Sequence, residues 1–504
     1  MTLQRRMVAI TATITVLLLG LNGVASAQAL ATSQEVNEVL QQIKALNDSL
    51  RETRAELEQS REEIRELKAT VEALQGELPA PAGTVDTTEM QAQTQAKPNR
   101  PVTQEDLQML AARVDEHQQT KVESASKFRV KLSGMVLLNA FSNSGVVDDV
   151  DLPTIAIPHQ AGYADASIGG SMRQSIIGIT GFGPDLLGAR TSADLQMDFF
   201  GGLPSGYSGV SSGVARLRIA RLRFDWENTS LIGGIDTPFF SPNSPSSYAT
   251  LGEPAFSSAG NLWAWTPSVR VEHRFDYENL GWKVEAGLFD PAGYSGYAQL
   301  RYPTAGENSR QPAYAVRLSG RYGKSDRPLT VGVSGIYTPQ SFYGYRQFNS
   351  AGMMADWLFP LASHLELSGE FFSGKGLQAF GGTPYGIVQS QDSAHYAYVT
   401  QPLLAGIGEI GGWSQMKVKI DARNEFNVAA GYGGYDSGAM RDAVYYDYYV
   451  ASLPSRNESV LVNYIIRPRS DLLFSAEFRR LKTTIVTGIP ATADQVGVAA
   501  GFLF

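Results

Sequence analysis

From Lys127 to Phe504 the apolar residues recur at every second position, in runs of about ten, and this period decides what the chain can fold into. The last run shows it most clearly. Val496, Val498, Ala500, Phe502 and Phe504 are apolar, and small or polar residues fill most positions between them. A strand written this way shows one face to hydrocarbon and the other to water. The pattern recurs at 128–138, 189–199, 269–275, 282–288, 314–322, 365–371, 416–420, 460–466 and 472–479. About ten residues is what a tilted strand needs to cross a bilayer. Without a continuously apolar segment of membrane thickness after residue 27, only a closed barrel could hold the chain in a membrane.

Connection lengths give the topology. Short polar turns are expected near 184–187, 227–229, 276–279, 323–327, 359–363, 420–423 and 467–470. Long connections rich in Gly, Ser, Pro and Asn are expected near 142–171, 201–212, 237–264, 290–312, 339–347, 374–408, 435–455 and 483–491. Seven short and eight long connections in alternation make an all-β barrel of sixteen antiparallel strands over 127–504, both ends on the short-turn side. An extra hairpin hidden in 374–408 or 435–455 would make eighteen. A soluble β-sandwich would not alternate its loop lengths. Nor would it place Trp226, Trp265, Trp282 and Trp413 at strand ends, where an interfacial girdle would lie.

The first 126 residues follow other rules. Arg5 and Arg6, the apolar run from Met7 to Leu21 and Ala25-Ser26-Ala27 read as an export signal over 1–27. Residues 31–78 are a heptad array with Val36, Ile43, Leu50, Leu57, Ile64, Val71 and Leu78 at its a positions. Glu56 with Arg61 and Glu63 with Lys68 supply the opposite-charge pairs of a parallel coiled coil. Pro79 and Pro81 stop that helix. A Pro/Ala/Thr/Gln linker spans 79–102, and a short helix capped by Thr103 spans 103–126. This part carries 12 basic and 18 acidic residues, and the rest carries 30 and 32. Neither has the basic excess that nucleic-acid binding requires. An exported chain without cysteine also has no disulfide frame.

Sixteen strands enclose a lumen too wide for side chains to fill. By strand parity Arg129, Lys131, Arg190, Arg221, Arg223, Arg270, Arg274, Lys283, Arg317, Arg321, Lys417, Lys419 and Arg479 face inward. So do Asp194, Asp198, Asp225, Glu272, Glu285, Glu366, Glu370 and Glu477. Thirteen basic against eight acidic residues make a positive wall, which favours anions. The rival reading is a wall whose arginines face an acidic loop and brace the barrel. Replacing Arg270, Arg317 and Arg321 with Ala is expected to reduce anion over cation permeability. Arg216 and Arg218 are out of phase with Arg221 and Arg223, which calls for a bulge near Ala220 or a start above the membrane.

The third long connection, rich in proline and aromatics and poor in charge, suits a loop folded against the wall. Ser241-Pro-Asn-Ser-Pro245, Gly260-Asn-Leu-Trp263 and Pro267-Ser-Val-Arg270 resemble the constriction region of the trimeric porin family associated with dicarboxylate uptake, and more distantly phosphate-selective porins. The resemblance implies a homotrimer in the outer membrane, an inward third loop using Pro242, Asn243, Pro245, Asn261 and Trp263, and passive uptake of small, often anionic, solutes. The terminal strand ending in Phe502 and Phe504 resembles the signal read by the barrel-assembly machinery. No cofactor, metal or enzymatic activity is implied.

Other signals carry less. Gly406-Ile-Gly-Glu-Ile-Gly411 matches a nucleotide-binding spacing but follows no βαβ unit. His117, His159, His273, His364 and His395 lack ligand spacing. Glu366 and Glu370 read as pore lining, and no Ser/His/acid set marks a hydrolase. The alternative function is structural, with the coil tethering the outer membrane to the cell wall.

Overall fold

The computed structural model describes residues 129–504 apart from 160, 163, 204–212, 291–302, 324–326, 343–345, 378–379, 382–386, 391–402, 437 and 439–450. The export signal, coiled coil, linker and short helix, with Val36, Ile43, Leu50, Leu57, Ile64 and Val71, lie outside the described residues.

Sixteen antiparallel strands close into a barrel. They are β1 (Val130–Ser144), β2 (Ala166–Ser171 continued by Ile176–Phe182), β3 (Arg190–Asp198), β4 (Arg216–Asp225), β5 (Thr229–Asp236), β6 (Thr266–Asp276), β7 (Leu280–Phe289), β8 (Ala313–Tyr322), β9 (Leu329–Phe342), β10 (Arg346–Ala362), β11 (Leu365–Lys375), β12 (Gly408–Lys419), β13 (Asn424–Tyr435), β14 (Pro454–Arg469), β15 (Leu472–Ile485) and β16 (Pro490–Leu503). Each pairs with its sequence neighbours, and β16 closes the ring on β1 from Met135↔Leu503 to Ser144↔Asp494. Phe504 extends the seam: its carbonyl accepts from Gly134 N at 2.8 Å. Both halves of β2 pair with β1, and the break between them turns Arg173 and Gln174 into buried positions.

The period-two pattern sorts the side chains as expected. Val130, Leu132, Val136 and Leu138 of β1 and Val496, Val498 and Phe502 of β16 are exposed on the outer face. The residues between them, such as Leu137, Asn139 and Leu503, are buried on the inner face. Trp282 keeps its outward position, but Trp265 and Trp413 do not belong to a girdle. Trp413 packs inward with Phe256, Ala259 and Leu461, and Trp265 lies under the guanidinium groups of Arg216 and Arg218. Both found partners inside the barrel that strand position alone does not reveal.

Two connections expected to be long are tight. β9 runs to Phe342 and β10 starts at Arg346, while β15 ends at Ile485 and β16 begins at Pro490. Pro339 and Pro490 marked loops in the sequence, yet Pro339 pairs with Asn349 and Pro490 sits at a strand start, where a missing N–H is tolerated. A hairpin is indeed hidden in the 374–408 region, Ile387–Ser390 with Leu403–Gly406, but it lies outside the barrel sheet, so the strand number stays sixteen. The bulge on β4 falls at Arg218 and not at Ala220: Gln196 pairs with Ile219, and Met197 with Leu217.

Candidate constriction and its charged wall

Residues 237–265, between β5 and β6, fold back into the barrel and cross it. Their apolar residues supply the anchorage. Phe239 and Phe240 pack with Phe289, Phe372, Leu377 and Phe380, joining the loop to β7 and β11. Phe240 meets Phe380 edge-on, with centroids 5.3 Å apart. At the far side Tyr248 fills a pocket made by Met135 and Leu137 of β1, Ile465, Leu473, Ala499 and Leu503. Between these ends, Phe256 and Ala259 lie on Trp413, Ala429 and Leu461.

Polar wall residues then fix the loop backbone. Glu370 accepts from Ser241 Oγ and from Asn243 N at 2.7 Å. Gln415 accepts from Ser246 N at 2.7 Å, and Asn463 donates to Ser246 O at 2.7 Å. Asn139 donates to Tyr248 O, and Gln174, turned inward by the break in β2, both accepts from Gly252 N and donates to Ala249 O, each at 2.9 Å. These bonds satisfy buried groups at both ends, which is the condition for a buried polar network to hold a single geometry. Glu370 is thus a loop anchor.

The space left open lies against β6 and β7. A cavity of about 80 Å³ is bounded by Pro238, Pro242, Pro254, Trp263 and Trp265 of the loop, and by Arg270, Glu272, Lys283 and Glu285 of the wall. One side is apolar and aromatic, the other charged. Of the residues assigned to the constriction, Pro242 and Trp263 line it, Asn243 ties the loop to β11, and Pro245 and Asn261 are buried within the loop.

The wall carries an extended ion-pair network. Arg221 bridges Asp194 at 2.9 Å and Asp236 at 3.0 Å, and Arg270 bridges Asp236 at 2.8 Å and Glu272 at 3.0 Å. Arg317 holds Glu285 and Asp356, both at 2.8 Å. Arg216 holds Asp198 at 2.7 Å, beside Arg218. Asp236 and Asp356 are inward acids that the strand assignment missed. Asp236 continues the face of Ser230 and Ile232 on a strand too short to show a clear alternation, and β10 carries apolar residues on both faces.

Exposure separates the two signs of charge. Side chains of Lys283, Arg274, Arg223 and Arg216 are 37%, 27%, 25% and 23% exposed, against 7%, 3%, 1% and 0% for Glu272, Glu285, Asp236 and Asp198. These four cations meet the lumen water, while Arg221, Arg270, Arg317 and most carboxylates lie within the wall; Asp194 and Asp225 are partly exposed. Arg190 is exposed on the inward face of β3. Arg321 lies at the short-turn end on Asp276, 2.6 Å away. Lys417 and Lys419 face inward but are buried, Lys417 3.8 Å from Glu425, on the opposite side of the barrel from the cavity.

Arg270 and Arg317 therefore occupy a different place from the exposed cations. Arg317→Ala leaves Asp356 without its ion partner and Glu285 with only Lys283 at 3.2 Å, in a buried site where an uncompensated charge costs about 3–5 kcal/mol. The expected result is a lower temperature for the loss of the heat-resistant folded band on gels, with ion selectivity changed far less than by loss of Lys283.

Glu253 sits between Gly252, whose carbonyl accepts from Arg216, and Pro254 at the cavity. Burial pushes its carboxyl up to about 7; Arg216 opposes the rise, and Asp148, Asp149 and Asp198 add to it. Because the raised pKa keeps the acid neutral below 7, raising the pH from 6 to 8 adds a negative charge beside the constriction. Anion preference is expected to fall over that interval, and to stay constant in Glu253→Gln, by reversal potentials at fixed salt.

No protein-family model matches the sequence, and no curated protein does. Among solved structures, the outer membrane channel DcaP of Acinetobacter baumannii matches 76% of this chain and 99% of its own, at 16% identity and a TM-score of 0.58. A weaker likeness, TM-score 0.45 at 12% identity, joins 75% of the chain to all of the anion-selective porin from Comamonas acidovorans. The chain shares its fold with the DcaP channel, and its own sixteen antiparallel strands close into a barrel with a loop folded inside.

Proposed function

We propose that the protein is an outer-membrane porin, a water-filled channel for passive diffusion of small hydrophilic solutes with a preference for anions. The observation that carries the preference is the separation of exposed cations from buried carboxylates along β6 and β7, where Arg274 and Lys283 stand over Glu272 and Glu285. An anion at the constriction meets Lys283, Arg274 and Arg223 at shorter range than it meets Glu285 or Asp236. In a narrow pore with low-dielectric walls such a difference lowers the anion's cost of entry. The channel fold shared with DcaP supports the first part of the reading, and the outward apolar rows support the membrane.

The same reading assigns the short turns, both barrel ends and the coil of residues 31–78 to the periplasm. Parallel heptads and a sector of the outer face, β1–β3, without outward aromatic side chains support a homotrimer. Lipid, the barrel-assembly machinery and two further copies are then the partners, and the cell wall is a partner only if the coil also tethers. Purified protein in a planar bilayer under a salt gradient is the test. Ohmic steps with a reversal potential of anion-selective sign are expected. No conductance would leave the tether as the function, and a cation-selective sign would remove the role given to the exposed cations.

A further inference from the structure

The outer face of β14–β16 departs from the pattern found elsewhere on the barrel. At its long-loop end it carries Arg456, Glu458, Arg480, Lys482 and Asp494, all pointing away from the lumen. Their level is fixed by register: Glu458 pairs with Tyr432 on one side and with Lys482 on the other, so the group starts where β13 places an outward tyrosine. Toward the short-turn end the same faces are apolar, with exposed Val460, Phe478, Val496 and Val498.

We propose that this face binds the phosphorylated headgroup of an outer-leaflet glycolipid, with its acyl chains on the apolar rows. The charge count supports an anionic occupant. Arg480 is matched by Asp494 through two bonds of 2.7 Å, but among the described residues Glu458 alone answers both Arg456 at 3.3 Å and Lys482 at 3.4 Å. One positive charge is left over, on side chains 45% and 49% exposed. A phosphate beside Arg456 and Lys482 completes the set with a charge-assisted pair. The alternation of the strands does the rest. Residues two apart share a face, so a cationic row lies directly above hydrocarbon-binding rows, as an amphiphile requires.

The proposal takes its leaflet from the channel reading, but the binding itself can be measured without a membrane. Refolded full-length protein in detergent is titrated with bis-phosphorylated lipid A, and bound lipids are counted by native mass spectrometry. The Arg456→Gln/Lys482→Gln variant is expected to bind at least tenfold more weakly than the parent. Glu458→Gln, which leaves a second positive charge, is expected to bind several-fold more tightly, and it decides the matter alone should the double variant not fold. Lipid A stripped of its phosphates should bind all three alike, and millimolar inorganic phosphate should not displace the intact lipid. Equal binding by the variants, or displacement by free phosphate, overturns the proposal. Conductance measured on the same samples keeps the two readings apart: lost lipid binding with intact channels sinks only this one.

Discussion

Replacing Arg223, Arg274 and Lys283 together with Gln is expected to turn the proposed anion preference of the channel into a cation preference. The reason is the layering of the wall. With the three cations gone, Asp225 loses its ion partner and Glu272 and Glu285 keep only the buried Arg270 and Arg317, so the charge at the constriction falls by three and the field there turns negative. One unit charge about 5 Å from the ion's path contributes roughly 0.8 kcal/mol even at the dielectric constant of water. Three such charges, reduced by salt screening over a Debye length of about 10 Å at 0.1 M, shift the permeability ratio by roughly tenfold or more. Reversal potentials in a tenfold salt gradient give this ratio directly, with the heat-resistant band on gels as the control for folding. A ratio within a factor of two of the parent would mean that selectivity is set elsewhere along the lumen.

Gly260→Val is expected to raise single-channel conductance several-fold while the barrel stays closed. Gly260 has φ +100°, and a Cβ there would fall 2.3 Å from both Gly412 O and Tyr432 O. Neither backbone can retreat, because β12 and β13 are locked into the sheet at those residues. The loop must lift from the wall, releasing Phe256 and Ala259 from Trp413 and Leu461. A side chain other than glycine also disfavours this backbone conformation by roughly 1–2 kcal/mol. The barrel does not depend on the contact for closure, which is carried by the β1–β16 ladder. Unchanged conductance in a folded variant would show that the segment does not narrow the pore.

Much of the barrel was legible because its signal is local. Alternation in β1 or β16 requires only that one face be greasy and the other wet, and Val496 or Leu138 declares this without reference to any other strand. The parity of Arg221, Arg270 and Arg317 follows from the same rule. What parity cannot supply is the partner on a nearby strand. Arg317 and Lys283 look alike as inward cations, and only the contact of Arg317 with Asp356, 39 residues away, separates a buried strut from an exposed charge. The aromatic residues show the same limit: Trp265, just before β6, lies under Arg218, and Trp413, on the inward face in the middle of β12, packs with Phe256 of the inserted loop. Proline misled in the other direction, since Pro339 and Pro490 fit strand positions that need no donor.

The seat of Tyr248 has a consequence for how the molecule matures. Its walls come from the first strand and from the last three, so the seat does not exist until the two ends of the barrel have met. An unfinished cylinder, still open along that seam, has nowhere to dock the tip of the loop. Narrowing of the passage and zipping of the chain's two ends are therefore a single late event, and the filter is fitted only to a vessel already sealed against leakage at its side.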